Sequence, residues 1–241
     1  MGTRNRLPSG EQRALLVREM FDRIAGRYDL MNTVMTAGLH RLWNRKVVRA
    51  TGLRTGDRAL DLACGTGSLT LDLAQKVGAE GYVLGVDFSR EMLLAARSAP
   101  NVEYRLGDAT HLEGVPSGSF DAATIAYGAR NIPDLDALFS EMARTLRPGG
   151  VAVCLEIARP TGRVSSAFYG VWFDKIVPRL GGWISGDPSA YAYLPESVKE
   201  FVAPGELADI IGRNGLQNVT WERVAGGIIT LHRGIRRDDA G

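Results

Sequence analysis

With 241 residues, 45% of them apolar and 23% charged, the chain has the length and composition of one large α/β domain rather than a fibrous, disordered or membrane-embedded polypeptide. Its 29 basic and 27 acidic residues leave a formal net charge of +2, far from the strongly basic face of a nucleic-acid binder, and no apolar run reaches the length of a membrane span. The two cysteines, Cys64 and Cys154, have no partner at metal-ligand spacing, so a cytoplasmic protein with reduced thiols and no bound metal is expected.

Residues 1–10 are polar, with Pro8 and Gly10, and read as a mobile tail. From Glu11 to Ala50 two helical stretches are expected. Leu15, Leu16, Met20, Phe21 and Ile24 recur at three- and four-residue steps in the first. Gly26 breaks it, Arg27-Tyr28-Asp29 reads as a polar link, and a second helix follows from about Leu30, interrupted near Gly38. This 11–50 segment is positioned to cap a cleft beside the first strand.

Residues 57–156 then alternate between strand and helix. Strands are predicted at Arg58–Leu62, Tyr82–Val86, Val102–Leu106, Ala122–Ala126 and Val151–Leu155, and helices at Thr66–Val77, Ser89–Ser98 and Leu135–Leu146. Arg147-Pro148-Gly149-Gly150 ends the last helix, and Ser89 is placed to cap the second. Such alternation implies a mainly parallel, Rossmann-like α/β sheet with right-handed crossovers. Residues 160–203 carry Phe168, Tyr169, Trp172, Phe173, Trp183, Tyr191, Tyr193 and Phe201 between Pro and Gly breaks, and read as a helical lid insertion. Residues 204–234 read as a final helix, Gly205–Asn214, and a hairpin of Asn218–Val224 and Ile228–His232 around Ala-Gly-Gly. The whole forms one domain.

The chemistry centres on Arg58-Ala-Leu-Asp61-Leu-Ala-Cys-Gly65-Thr66-Gly67-Ser-Leu-Thr70. A strand, a Gly-x-Gly turn and a helix start make a nucleotide-binding loop, because glycine lets the backbone approach a ligand and the helix end offers free N–H groups. The dinucleotide fingerprint wants a third glycine, and Thr70 stands there instead. Asp87 ends the second strand and suits a ribose diol, which NAD and S-adenosylmethionine share. Asp61 ends the first strand, where it would repel a pyrophosphate and attract an ammonium. Asp108, after the third, suits an adenine amino group. Three acids at three strand ends, with no Lys or Arg in the loop, favour S-adenosylmethionine. Each acid also has a plainer reading, in a loop, a helix cap or a turn.

Further along, the chain resembles the quinone-biosynthesis C-methyltransferases, the demethylmenaquinone and 2-polyprenyl-6-methoxy-benzoquinol methyltransferase family, over about residues 20–234. Phe21-Asp-Arg-Ile-Ala-Gly-Arg-Tyr-Asp-Leu-Met-Asn32 with Gly38-Leu-His-Arg-Leu-Trp43 is similar to the N-terminal signature. Leu60–Gly67 is similar to the cofactor loop, and Thr124-Ile-Ala-Tyr-Gly-Ala-Arg-Asn131 to the most particular motif. Tyr191–Ser197 and Gly226–Gly234 resemble the late signatures. Ala126, Tyr127 and Ala129 stand where Ser or Gly, Phe and Leu are more usual.

The resemblance implies a class I methyltransferase fold, a seven-stranded sheet with an antiparallel last strand, and methyl transfer from S-adenosylmethionine to a ring carbon of a polyprenylated quinol. Thr66, Asp87 and the Asp108-Ala109 pair carry the family's cofactor contacts, with Gly65 and Gly67 in the loop, Asp61 below it, Ala126 through its backbone, and Tyr28 placed to close over the cofactor. Arg130 and Asn131 are expected to orient and polarise a ring hydroxyl, and His232 is a candidate base. The acceptor is a demethylmenaquinol or a methoxy-benzoquinol. Peripheral attachment to the inner face of the cell membrane and a homo-oligomer are both compatible. A methyltransferase of a soluble aromatic and a non-catalytic, cofactor-binding assembly subunit are the alternatives.

Overall fold

A computed structural model describes residues 10–159, 162, 170 and 188–238. Three cap helices come first: α1 (Glu11–Ile24), α2 (Tyr28–Thr36) and α3 (His40–Thr51). Strands and helices then alternate through β1 (Arg58–Leu62), α4 (Ser68–Val77), β2 (Tyr82–Asp87), α5 (Arg90–Leu94), β3 (Val102–Leu106), β4 (Phe120–Ala126), α6 (Leu135–Thr145) and β5 (Leu146–Ile157). After them come α7 (Pro188–Glu200), α8 (Pro204–Arg213), β6 (Leu216–Val224) and β7 (Ile229–Arg236).

The seven strands form one sheet in the order β3-β2-β1-β4-β5-β7-β6. β7 runs antiparallel to both neighbours, and the other pairings are parallel. Alternating side chains send each strand to both faces. Leu60 and Leu62 join the apolar layer under α6 and α8, whereas Ala59 joins Val47, Leu69, Leu73 and Val77 under α3 and α4. A third cluster lies off the sheet, where Val17, Met20, Ile24 and Met31 of the cap meet Met92 and Tyr193. The order reverses around β1, whose neighbours are β2 and β4. A ligand crevice forms at such a switch point, outside the carboxyl ends of the strands.

Several boundaries differ from expectation. The polar link shrinks to a 3-10 turn over Ala25–Arg27, and Tyr28 and Asp29 open α2. The cofactor-loop helix starts at Ser68 rather than Thr66, because Gly67 holds a left-handed φ of 80° at its N-cap. Ser89 caps α5 by accepting from the Met92 amide at 3.1 Å, yet the helix ends at Leu94 rather than Ser98. The Tyr104 hydroxyl donates to the Arg97 carbonyl at 2.9 Å, and Pro100 follows close behind, both of which favour leaving the helix.

Arg147–Gly150 is not simply a helix stop. Phe120 pairs with Leu146 and Ala122 with Val151, so these four residues bulge out at the start of β5. The closing hairpin is longer than expected at both ends. Of the aromatic lid, Phe168, Tyr169, Trp172, Phe173 and Trp183 lie outside the described residues. Tyr193 is packed in the cap cluster, and Phe201 against the sheet core.

Candidate active site

Two cavities open at the switch point. The first, about 670 Å³, is a cleft over the strand ends; Asp87, Phe88, Gly107, Asp108, Ala109 and Asn131 line it, with Arg18 of α1 on its rim. The second, about 470 Å³, lies beneath the cap, walled by Met20, Ile24, Met31, Met35, Leu39 and Trp43 from α1 to α3 and by Ile228 and Ile229 of the hairpin. Phe21, Tyr28, Ala63, Gly65, Ala126 and Tyr127 line both, so the cavities share one wall.

Two loops make that wall, and both are bent. Ala63 after β1 and Tyr127 after β4 hold φ values of 50° and 58°, which a side chain adopts only when its surroundings enforce it, at a cost on the order of 1 kcal/mol or more. Gly65, at φ 56°, presents its backbone to both cavities and donates its N–H to Asp87 Oδ2 at 2.8 Å. Gly67 lines neither cavity. A Cβ there would stand 2.0 Å from the Tyr104 hydroxyl, so this glycine shapes the turn rather than a ligand surface.

Asp87 is 5% exposed, and its other oxygen accepts the Ser89 amide at 2.9 Å. Burial pushes its carboxyl up, against the pull of those amides. Asp61 is more enclosed, at 1% exposure, and accepts the hydroxyls of Thr70 at 2.7 Å and Thr124 at 2.8 Å. Its carboxyl is pushed up to about 7 by burial, in spite of those two hydroxyls. It borders the cavity beneath the cap rather than the cleft. Asp108 is exposed at the far end of the cleft, holding the Thr110 amide at 2.8 Å, with Ala109 buried beside it. The Thr66 hydroxyl is spent on Asp29 Oδ1, which ties the loop to α2. Ala126 closes β4 on the shared wall, where Tyr28 covers it from the cap.

Arg130 sits in a short 3-10 turn after β4. Its guanidinium is paired with Glu156 Oε1 at 2.7 Å and also donates to the Tyr127 carbonyl, while its amide reaches Glu156 Oε2 at 3.2 Å. Burial by itself would pull this guanidinium down; the Glu156 carboxylate more than offsets it and holds the group above its ordinary value. With side-chain exposures of 8% and 0%, the pair is sealed from solvent. Arg130 therefore brings a neutralised charge to the cavity beneath the cap. Asn131 lines the cleft and accepts from the Tyr193 hydroxyl at 3.1 Å.

His232 is not brought to the site. It lies on β7 between Cys154 and Trp221, fully buried, with Nε2 donating to the Pro204 carbonyl at 2.9 Å and the Trp221 ring stacked on it. It lines neither cavity. Glu156, Asp29 and Tyr193 also contact the site residues, and no sequence motif assigns them a role; the acid near the end of the apolar run of β5 is the one signal, for Glu156.

The cleft suits S-adenosylmethionine by its donor set. Asp87 and Asp108 line it as acceptors for a ligand whose ribose diol and adenine amine donate, and the acid suited to the ammonium, Asp61, borders the adjoining cavity. Comparison with known proteins agrees. The family model of the ubiE/COQ5 methyltransferase family matches residues 7–236. A demethylmenaquinone methyltransferase of Desulfitobacterium hafniense is 40% identical over 233 residues, spanning 94% of this chain and 92% of that protein. A ubiquinone/menaquinone biosynthesis C-methyltransferase of Cellvibrio japonicus is 36% identical, spanning 94% and 93%. Among solved structures, the S-adenosylmethionine complex of Haemonchus contortus phosphoethanolamine N-methyltransferase 2 shares the fold, with a TM-score of 0.62 and 18% identity over 81% of this chain and 52% of that one. The chain belongs to the ubiE/COQ5 methyltransferase family and is an S-adenosylmethionine-dependent methyltransferase.

Proposed function

We propose that this enzyme methylates a ring carbon of a polyprenylated quinol, with demethylmenaquinol as the acceptor. The observation that carries the reading is the shared wall: an acid-lined cleft for the donor abuts an apolar cavity for a ring and tail. Relatives favour the naphthoquinol, since the demethylmenaquinone enzyme is 40% identical and the dual-pathway enzymes 36–37%. A methoxy-benzoquinol is the second reading. Labelled methyl transfer under reducing conditions, to the two quinols in parallel, tests it; no transfer to either overturns it.

In this assignment Asp87 takes the ribose diol, Asp108 and Ala109 the adenine, Gly65 and Ala126 the donor through their backbones, and Asp61 with Thr66 the methionine end. Tyr28 closes the wall over it. Bound there, the donor supplies an electrophilic methyl beside the apolar cavity, and fixed geometry provides much of the acceleration. Asn131 and Arg130 keep the β4 loop in place; Arg130, already paired, acts by holding the Tyr127 carbonyl and polarises the acceptor only weakly.

A tailed acceptor resides in a bilayer, and the mouth of the apolar cavity suits one. Leu39, which lines that cavity, is 47% exposed, and Leu30 and Leu42 on the cap helices are each 55% exposed. Helix α3 adds exposed Arg41, Arg45 and Arg49 and carries no acid, a basic and apolar face fit for an anionic surface. Among the described residues no helix is long and apolar enough to cross a membrane, and the attachment proposed is a peripheral one. Flotation should show binding to anionic but not neutral vesicles, lost with Leu42→Ser and Arg45→Glu together; equal binding to both vesicle types contradicts this.

A further inference from the structure

His40 is the one histidine that lines a cavity, among the described residues, and nothing above gives it work. It opens α3 half-buried, its ring on the apolar cavity beside Trp43. The hydrogen bonds around it settle which ring nitrogen carries the proton. The Thr36 hydroxyl donates its only hydrogen to the Asn32 carbonyl at 2.6 Å, as threonines in helices do toward the preceding turn. Yet the same oxygen lies 2.9 Å from His40 Nδ1. It has only lone pairs left to offer, so Nδ1 must be the N–H donor. The neutral ring then keeps its basic lone pair on Nε2.

His232 shows the contrast. There Nε2 is the donor, to the Pro204 carbonyl, and the lone pair sits on Nδ1, buried with no partner and away from either cavity. Of the two, only His40 lines a cavity that a ring hydroxyl can enter.

We propose that His40 Nε2 is the general base of the methyl transfer, taking the proton of the acceptor's ring hydroxyl. The inference rests on the quinol reading for its acceptor. As the O–H proton moves to Nε2, the oxygen's electron density passes into the ring, and the ring carbon forms the new C–C bond. The S–CH₃ electron pair returns to sulfur. The methylated carbon then loses its hydrogen as a proton to water, and the oxygen regains a proton from His40. One proton is released per turnover, and the base is restored.

The charges around the imidazole are compatible with this work. Burial holds His40 below its ordinary value, and Arg41 on its own helix adds to that. Asp29 of α2 and Asp72 of α4 pull the other way. Asp61 and the Arg130–Glu156 pair border the same cavity or lie behind it. A ring neutral near pH 7 is ready to accept a proton.

The test compares wild type, His40→Gln and His40→Ala on a short-chain quinol kept reduced. His40→Gln retains an N–H for Thr36 and so preserves the local hydrogen bond. Positioned proton transfer contributes on the order of 100-fold, so kcat should fall about 100-fold in both. The Kd for S-adenosylhomocysteine and the acceptor KM should stay within about twofold of wild type. Wild-type kcat/KM should decline as pH falls through the His40 pKa, below its ordinary value, and the variants should lose that acid limb. Added imidazole should restore turnover to His40→Ala at least about tenfold. A kcat within threefold of wild type, an unchanged acid limb, or a loss that imidazole does not rescue in a folded variant overturns the proposal. If wild type ignores quinols but methylates a soluble phenol, the acceptor reading fails and the same comparison on that phenol decides His40. No transfer to any acceptor sinks both.

Discussion

The cleft and the cavity that share a wall are built by different means. The cleft is floored by strand ends and the loops that leave them, with α1 alongside, so its carboxylates and glycine backbone stand among apolar side chains such as Leu15, Phe88 and Leu106. Its acids come from successive β-strands whose register is fixed by the sheet. The cavity beneath the cap is made of helix faces, with methionines, leucines and a tryptophan as its walls. Some of its polar groups are paired, as Arg130 with Glu156 and Thr36 with His40, while Arg130 Nε and the Tyr127 hydroxyl are buried without a partner among the described residues. One region recognises by fixed hydrogen bonds; the other offers volume and a dry wall. The donor side of such an enzyme is therefore specified by few positions, whereas the acceptor side is set by how whole helices pack.

Three substitutions separate the two regions. The largest effect is expected from Glu156→Gln, which leaves the Arg130 guanidinium sealed in without its counter-charge. Removing one partner of a buried pair costs about 3 kcal/mol or more, read as a lower urea midpoint with unchanged slope. The Kd for S-adenosylhomocysteine should stay within about twofold, because Glu156 lines neither cavity. If that Kd rises tenfold, the cleft depends on the cap side more than its geometry indicates.

Asp87→Ala should do the reverse. It removes the acceptor of the Gly65 and Ser89 amides and of the ligand diol, hydrogen bonds to a charged group worth about 1.5–3 kcal/mol each. The Kd for S-adenosylhomocysteine should rise on the order of 100-fold, while binding of a quinol analogue to the apolar cavity changes little. A Kd within threefold of wild type would remove Asp87 from the donor site.

The smallest effect belongs to Asp61, beside the shared wall. Its folded pKa of about 7 lies above its unfolded value, so its contribution to stability is complete below the unfolded pKa, near 4, and is lost as pH rises through about 7. A donor ammonium settling beside it favours the charged form. At pH 7 about half a proton should leave the protein on binding S-adenosylmethionine, measured by calorimetry in buffers of different ionisation enthalpy, and none with Asp61→Asn. Buffer-independent heats in wild type would place the ammonium elsewhere.

The sequence made the cleft readable and the cavity nearly opaque, for the same physical reason. β1 and β3 have the spans that their apolar runs predict, and Asp61, Asp87 and Asp108 stand where strands end. Those signals are local: an acid after an apolar run, a glycine pair before a helix. The cavity draws on Met20, Trp43, Tyr193 and Ile229, residues that no spacing connects before the cap has folded onto the sheet. His40 stands inside a family signature, but its tautomer depends on Thr36 and Asn32, across the break between α2 and α3. His232 reads as the candidate base in the sequence because a histidine in a strand does not reveal what faces its ring. Gly67 looked like a ligand contact because a turn glycine and a binding glycine read alike; only the nearness of Tyr104 tells them apart.

Two short bonds join the roof to the floor. Asp22 of α1 accepts from the Ser89 hydroxyl at 2.6 Å, and Asp29 of α2 accepts from Thr66. Ser89 follows the β2 end that carries Asp87, and Thr66 belongs to the loop that carries Gly65. Helix α1 is thus fastened to the end of β2 and α2 to the cofactor loop, so an outward movement of either cap helix strains the loop it holds. The two cavities share their fastening as well as their wall. The roof over one cavity and the floor of the other are fastened by two side-chain hydroxyls.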